Sequence, residues 1–540
     1  MTSQITVEKA PQGQGGAGEP GPAPAKGLRG HPWLTLFAVA AGVMMVALDG
    51  TIVAIANPAI QADLGATLDQ LQWITNGYLL ALAVALITAG KLGDRFGHRQ
   101  TFLIGIAGFA AASGAIGLSD SIAAVIAFRV LQGLFGALLM PAALGLLRAT
   151  FPAEKLNMAI GIWGMVIGAS TAGGPILGGF LVEHVSWQSV FFINVPVGVL
   201  ALGLGLLILK DHRAENAPRS FDVLGIALLS GAMGLLVWSL IQAGAEWGWT
   251  SANTWGCLIG SLVLFGIFAL WETKVAEPLI PLGLFRSVPL SAGVVLMVLM
   301  AFAFMGGLFF VTFYLQGVQG LGPIDAGLRL LPLTAMMIVS SPLAGALITK
   351  FGPRVPLVGG MVCTAAAMFG MITLSSGTST LTMSLWFALL GLGLAPVMVG
   401  ATEVIVGNAP LELSGVAGGL QQAAMQVGGA LGTAVLGAVM ASKVSTAFGE
   451  NWKAAGIPVP PDPRLQEAAE FGMAPAGMDK APGMTEELAA KISGVIHDTF
   501  LDGMGLAFTV AGVVAVVAAL VATLTKRGAN AQPGMGGGHI

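Results

Sequence analysis

The chain has 540 residues, of which 55% are hydrophobic and only 9% charged, with a formal net charge of −3. A soluble domain carries about 25% charged residues, so this sequence cannot cover a water-facing surface and lipid must be its main solvent. The six histidines (31, 98, 184, 212, 497 and 539) lack ligand spacing and no Gly-x-x-x-x-Gly-Lys-Ser/Thr loop is present, which argues against a metal site, an ATP cradle and an enzyme.

In chain order, residues 1–30 are polar and rich in Pro and Gly and read as a disordered cytoplasmic tail. The first apolar run, 33–56, is too long for a signal-peptide core and lacks a small-residue cleavage pattern, so it reads as the first membrane helix. Further spans fall near 71–90, 101–118, 121–147, 157–182, 191–209, 222–241, 255–271, 289–315, 328–348, 355–375, 381–406, 416–441 and 504–524, making fourteen. Cys257 and Cys363 lie inside such runs and read as buried free thiols.

A charged, glycine-punctuated hinge follows the second span: Gly90-Lys91-Leu92-Gly93-Asp94-Arg95-Phe96-Gly97-His98-Arg99. After the tenth comes Gly345-Ala346-Leu347-Ile348-Thr349-Lys350-Phe351-Gly352-Pro353-Arg354, sharing Gly, Leu, Phe, Gly and Arg, with Thr349 opposite Asp94. This self-similarity predicts two related halves. The expected architecture is all-α and integral to the membrane, with two pseudo-symmetric six-helix bundles (31–210 and 287–527). Two inserted helices with their linker (211–286) join them, and residues 528–540 form a second cytoplasmic tail. Most of the 24 Lys and Arg, including Lys91, Arg95, Arg99, Arg148, Lys350 and Arg354, fall on one side of that alternation, which places both termini in the cytoplasm. The long outer loop 442–503 begins with polar and Pro-rich sequence and reads as a solvated spacer rather than a lid.

Ionisable residues deep in lipid spans are functional candidates by default. Asp49 and Arg129 sit at matching depths in the first and fourth spans, roughly 12 Å below the outer surface at about 1.5 Å per residue. Matching depth permits an ion pair but does not establish contact. The functional reading is a protonation switch; a static bridge fixing helix packing is the alternative. Glu403, in the twelfth span beyond Pro396, is the second candidate acid, or else an interfacial carboxyl that reaches water. Asn76, Tyr78, Gln132 and Gln421 are candidate cavity residues, as are Phe309 and Phe313 in a Met- and Phe-rich ninth span. Interhelical hydrogen bonding and lipid-facing packing are the commoner uses of these residue types.

Several motifs resemble those of the major facilitator superfamily, in its drug:proton antiporter branch with fourteen helices. They are residues 90–100; Leu48-Asp49-Gly50-Thr51-Ile52-Val53; Arg129-Val130-Leu131-Gln132-Gly133; Gly174-Pro175-Ile176-Leu177-Gly178-Gly179; Phe191-Phe192-Ile193-Asn194-Val195-Pro196; and Tyr314-Leu315-Gln316 with Ala326-Gly327 and Leu331-Pro332. Ser170 replaces a glycine of the fifth-span motif, Ala54 an asparagine of the first-span motif and His98 a basic residue of the loop.

The resemblance implies the major facilitator fold. It assigns proton coupling to Asp49 and Arg129, and a conformational gate to Gly90, Asp94, Arg95, Gly97 and Arg99. It also implies an antiporter kink at Gly174, Pro175, Gly178 and Gly179. The implied activity is export of a lipophilic drug or antibiotic across the cell membrane by alternating access, with the proton gradient as energy source and no cofactor. A dedicated exporter of one natural product is the alternative; a nutrient:proton symporter or a non-transporting sensor follows. Expected partners are a small lipophilic substrate, for which positive charge is allowed but not required, together with protons and the lipid bilayer. Nucleic acid is not among them, and a monomer is expected to suffice.

Overall fold

The computed structural model describes residues 28–66, 68–210, 222–245, 247–275, 278–410, 413–457, 463–474 and 485–526. The expected tails therefore lie outside the described residues, apart from 28–30. Among the described residues, fourteen helices are long and apolar enough to cross a membrane. They are α1 (Pro32–Leu64), α2 (Leu68–Phe96), α3 (His98–Gly117), α4 (Ile122–Thr150), α5 (Ala153–His184), α6 (Ser189–Ile208), α7 (Val223–Ala245), α8 (Ala252–Glu272), α9 (Val288–Phe313), α10 (Leu331–Phe351), α11 (Arg354–Met371), α12 (Thr380–Gly407), α13 (Ser414–Ala454) and α14 (Glu486–Ala522). No strand occurs among the described residues. Lipid leaves backbone groups no outside partner, and helices satisfy them internally.

Helix neighbours repeat with an offset of eight. In the first half α1 packs on α5, and α4 on both α2 and α3; in the second α9 packs on α13, and α12 on both α10 and α11. The hinge of each half turns on a glycine in a positive-φ extended region: Gly97 has φ 97° and ψ 132°, Gly352 has φ 80° and ψ 171°. That region is open essentially to glycine, which explains why this residue recurs in both hinges. The halves meet along two seams, α2 against α13 and α5 against α10. The α7–α8 pair packs on the first seam, touching both α2 and α13.

Beyond the membrane the structure departs from expectation. Residues 442–454 are not a spacer but continue α13, whose 41 residues make it about 60 Å long, twice what a bilayer core requires. Facing α14, it buries Val444, Phe448 and Trp452 in one cluster with Ile492, Val495, Ile496 and Phe500, and Ala447 is buried beside them in sequence. A short helix, Pro463–Phe471, closes over them, with Ala469 buried and the Phe471 ring 5.2 Å from that of Phe313. Gly317 and Gly472 meet backbone to backbone beside a π-turn at Tyr314–Val318. A hydropathy window ends where lysines appear, whereas a helix continues as long as one of its faces is covered. The two cysteines are free and only half-buried, because one side of their helices faces lipid.

Candidate functional site

Asp49 is fully buried on α1, where residues from α4 and α6 converge on it. Its Oδ2 accepts from Arg129 Nη1 at 2.5 Å, and its Oδ1 accepts from Gln132 Nε2 at 3.0 Å and Asn194 Nδ2 at 3.2 Å. Arg129, 1% exposed, is itself held from several sides. Its Nη1 also donates to Gln132 Oε1, its Nε donates to the Ile74 carbonyl of α2, and its guanidinium lies 4.1 Å from the centre of the Tyr78 ring. Gln132 follows Arg129 by three residues, which puts both on one face of α4. Asn194 also donates to Ser113 Oγ of α3, which donates in turn to the Phe191 carbonyl at the start of α6.

A buried pair of this kind is stable only while both charges and their remaining hydrogen bonds are satisfied; removing one partner costs about 3–5 kcal/mol. With three donors directed at it, the carboxylate form of Asp49 fits the arrangement. The neighbouring Gly50 is exposed and faces open space, so the acid lies one residue from an accessible surface.

The fifth-span glycines pack directly on this stretch. A side chain at Gly174 would collide with Thr51 Oγ1, and one at Gly178 would sit 2.7 Å from Ile52 Cγ1. Thr51 Oγ1 donates to the Thr171 carbonyl at 3.0 Å, fastening α1 to α5. Gly179 is partly buried on the same helix. The side chain of Pro175, where the kink was expected, lies outside the described residues.

At one end of the bundle Asp94 reaches from α2 across the seam to the first turn of α13. It accepts from the amides of Gly415 at 2.8 Å and Val416 at 3.0 Å. A carboxylate there satisfies orphan amides and complements the helix dipole. Gly90 and Gly415 allow the approach, since a side chain on Gly90 would stand 2.2 Å from the Gly415 carbonyl oxygen. His98 lies in a slot walled by Gly93, Gly145 and Gly415, with Nε2 3.4 Å from Asp94 Oδ1 and 3.3 Å from Ser414 Oγ. Arg148 Nη2 donates across the same seam to the Ala409 carbonyl at 2.6 Å. Arg95 lies over the Phe96 ring, and Arg99 donates to the Leu206 carbonyl. Asp94, His98 and Arg148 thus latch the two halves together, whereas these contacts of Arg95 and Arg99 stay within the first half.

Residues 39–433 match the Major Facilitator Superfamily profile. The chain is 65% identical over 508 residues to the tetracenomycin C resistance and export protein of Streptomyces glaucescens, covering 93% of each chain. It is 35% identical to the probable actinorhodin transporter of Streptomyces coelicolor (78% of this chain, 75% of that one). With the multidrug efflux pump LfrA of Mycolicibacterium smegmatis it shares 32% identity, over 75% of this chain and 80% of that one. The chain belongs to the major facilitator superfamily. Its fold matches that of the solved human organic anion transporter MFSD10, with TM-score 0.59 at 12% identity, covering 91% of this chain and 99% of that one.

Within this superfamily fold, not every candidate gathers at Asp49. Tyr78 and Gln132 do; Asn76 lies on α2 and is partly buried. Gln421 belongs to the other half, fully buried with Nε2 3.9 Å from Met297 Sδ. Phe309 is 42% exposed, and Phe313 leads to Phe471 of the short helix Pro463–Phe471 rather than to the acid. Glu403 is buried on α12 of the second half. Ser113 and the Ile74 carbonyl went unforeseen. A serine in an apolar span looks like packing, and a backbone acceptor leaves no mark in sequence. Asn194 was visible only as part of a motif.

Proposed function

We propose that this protein exports a lipophilic, antibiotic-like compound across the cell membrane in exchange for protons, with Asp49 as the coupling acid and Arg129 as its counter-charge. The observation that carries the assignment of residues is the buried Asp49–Arg129 pair with its Gln132 and Asn194 donors. Deprotonated, Asp49 binds Arg129; protonated, it releases Arg129 and favours a different packing of α1, α4 and α6. The membrane potential supplies about 2.3 kcal/mol per proton for each 100 mV. The concentration of Lys and Arg at the latch end supports a cytoplasmic latch and cytoplasmic termini, so the arrangement described here is closed toward the cytoplasm.

Asp49→Asn keeps the size and hydrogen-bonding capacity of the side chain but cannot release a proton. In proteoliposomes carrying a pH gradient it is expected to insert and fold yet lose uphill transport. Concentration of substrate by this variant would refute the role of Asp49. A narrow range, one natural product rather than many drugs, is favoured by the contrast between 65% identity to a relative described by one compound and 32% to a multidrug pump. An efflux panel of dyes and antibiotics in a pump-deficient host, with and without an uncoupler, tests that breadth.

A further inference from the structure

The α7–α8 pair lies along the α2–α13 seam and makes contacts at both ends of it. Far from the latch, the Trp238 ring is 4.8 Å from Trp73 of α2, and Trp249 Nε1 donates to the Ala434 carbonyl of α13 at 3.1 Å. Near the latch, Leu229, Met233 and Phe268 of the pair and Leu279 and Ile280 after it form one buried cluster with Ile87 of α2 and Val416 of α13. Val416 is one of the two residues whose amides Asp94 binds. Leu279 and Ile280, 1% and 4% exposed, thus share an apolar cluster with residues from both halves beside the polar latch.

Two polar contacts fix that segment. Lys91 Nζ donates to the Pro278 carbonyl at 2.7 Å, and the buried carboxylate of Glu272 accepts from the Ile280 amide at 3.0 Å. The pair itself is braced internally. Ser261 Oγ donates to the Ala232 carbonyl, and Trp271 Nε1 donates to the Asp222 carboxylate. The segment is therefore tied to α2 through a hinge lysine, and to the helix pair through Glu272.

We infer that the inserted pair is a strap across the α2–α13 seam. Leu279 and Ile280 are its wedge, and Lys91 and Glu272 are positioning residues that hold the wedge in the latch-closed state. The inference rests on the alternating-access reading above. When the latch end opens, α2 parts from α13 and the wedge must lose one of its walls. The apolar area buried there then favours the closed state, a bias that neither half provides alone.

The test reads conformation directly. Spin labels at Gln100→Cys and Leu524→Cys, in a background with Cys257 and Cys363 replaced by alanine, report the width of the latch end in lipid nanodiscs. The paired substitution Leu279→Ala with Ile280→Ala is expected to raise the open-to-closed population ratio about fivefold or more. Lys91→Met and Glu272→Leu should act in the same direction. Lys91→Arg keeps a donor and Glu272→Gln keeps an acceptor, so both should restore the original distances. Distance distributions superimposable on those of the unsubstituted protein in Lys91→Met and in the wedge variant would overturn the strap, even if thermal stability falls. If the wedge variant fails to fold, the two lysine substitutions decide alone. Failure of the proton-coupling assignment appears elsewhere, as uphill transport that survives Asp49→Asn.

Discussion

The two seams between the halves descend from one repeated plan and are closed by different forces. At α2–α13 a carboxylate, an imidazole and a guanidinium from the first half bind the polar entrance of α13 and the carbonyl of Ala409. At α5–α10 the corresponding hinge has Thr349 in place of the acid, and its hydroxyl donates back to the Gly345 carbonyl of its own helix. That seam is closed by Ile160 packing on Ala344, Ile348 and Val399, with Gly161 pressed toward the Ser341 carbonyl. What did not diverge is the scaffolding: Arg95 over Phe96 at 5.2 Å is matched by Lys350 over Phe351 at 5.1 Å. Charged, directional contacts break all at once, whereas apolar ones slide. The difference suits a fastener on one seam and a bearing on the other.

That contrast can be broken experimentally. The largest effect is expected from Gly90→Val, whose side chain would occupy the position of the Gly415 carbonyl. The latch should then fail to close, seen as loss of uphill efflux and a wide latch end by spin-label distances. Asp94→Ala comes next. It strips the acceptor from two amides, each worth about 1–3 kcal/mol when left buried and unpaired, and should open the latch end and lower efflux at least tenfold. Gly97→Ala and Gly352→Ala should each lower stability by about 1–3 kcal/mol in thermal unfolding, since both hinges need the same backbone. Transport should suffer in the first only. Thr349→Ala should be smallest, within about 0.5 kcal/mol and with efflux unchanged. Equal transport defects in Asp94→Ala and Thr349→Ala would show that the seams are not functionally distinct.

Much of this was readable beforehand, for a physical reason. Lipid penalises exposed backbone and charge so strongly that fourteen spans, Asp49 and Arg129 stand out from a background of Ala, Gly, Leu and Val. The repeated hinge was legible because Gly97 and Gly352 occupy a conformation that other residues resist. Contacts in which one member is backbone were hidden: the amides that bind Asp94, the carbonyls that receive Arg148 and Lys91, and the Ile74 oxygen beneath Arg129. The cap of Pro463–Phe471 over α13 and α14 was hidden differently. Its core is made by every third or fourth residue of helices whose other faces are polar, so mean hydropathy over a window falls even as the packing continues.

Helix α13 begins at the Asp94 carboxylate and runs, without interruption, past Trp452 under the cap. A rigid rod of about 60 Å is a lever: a tilt of about 5° at its foot displaces its tip by about 5 Å. A fluorophore attached to the tip would therefore register, from the opposite side of the bilayer, each time the fastener at the foot lets go.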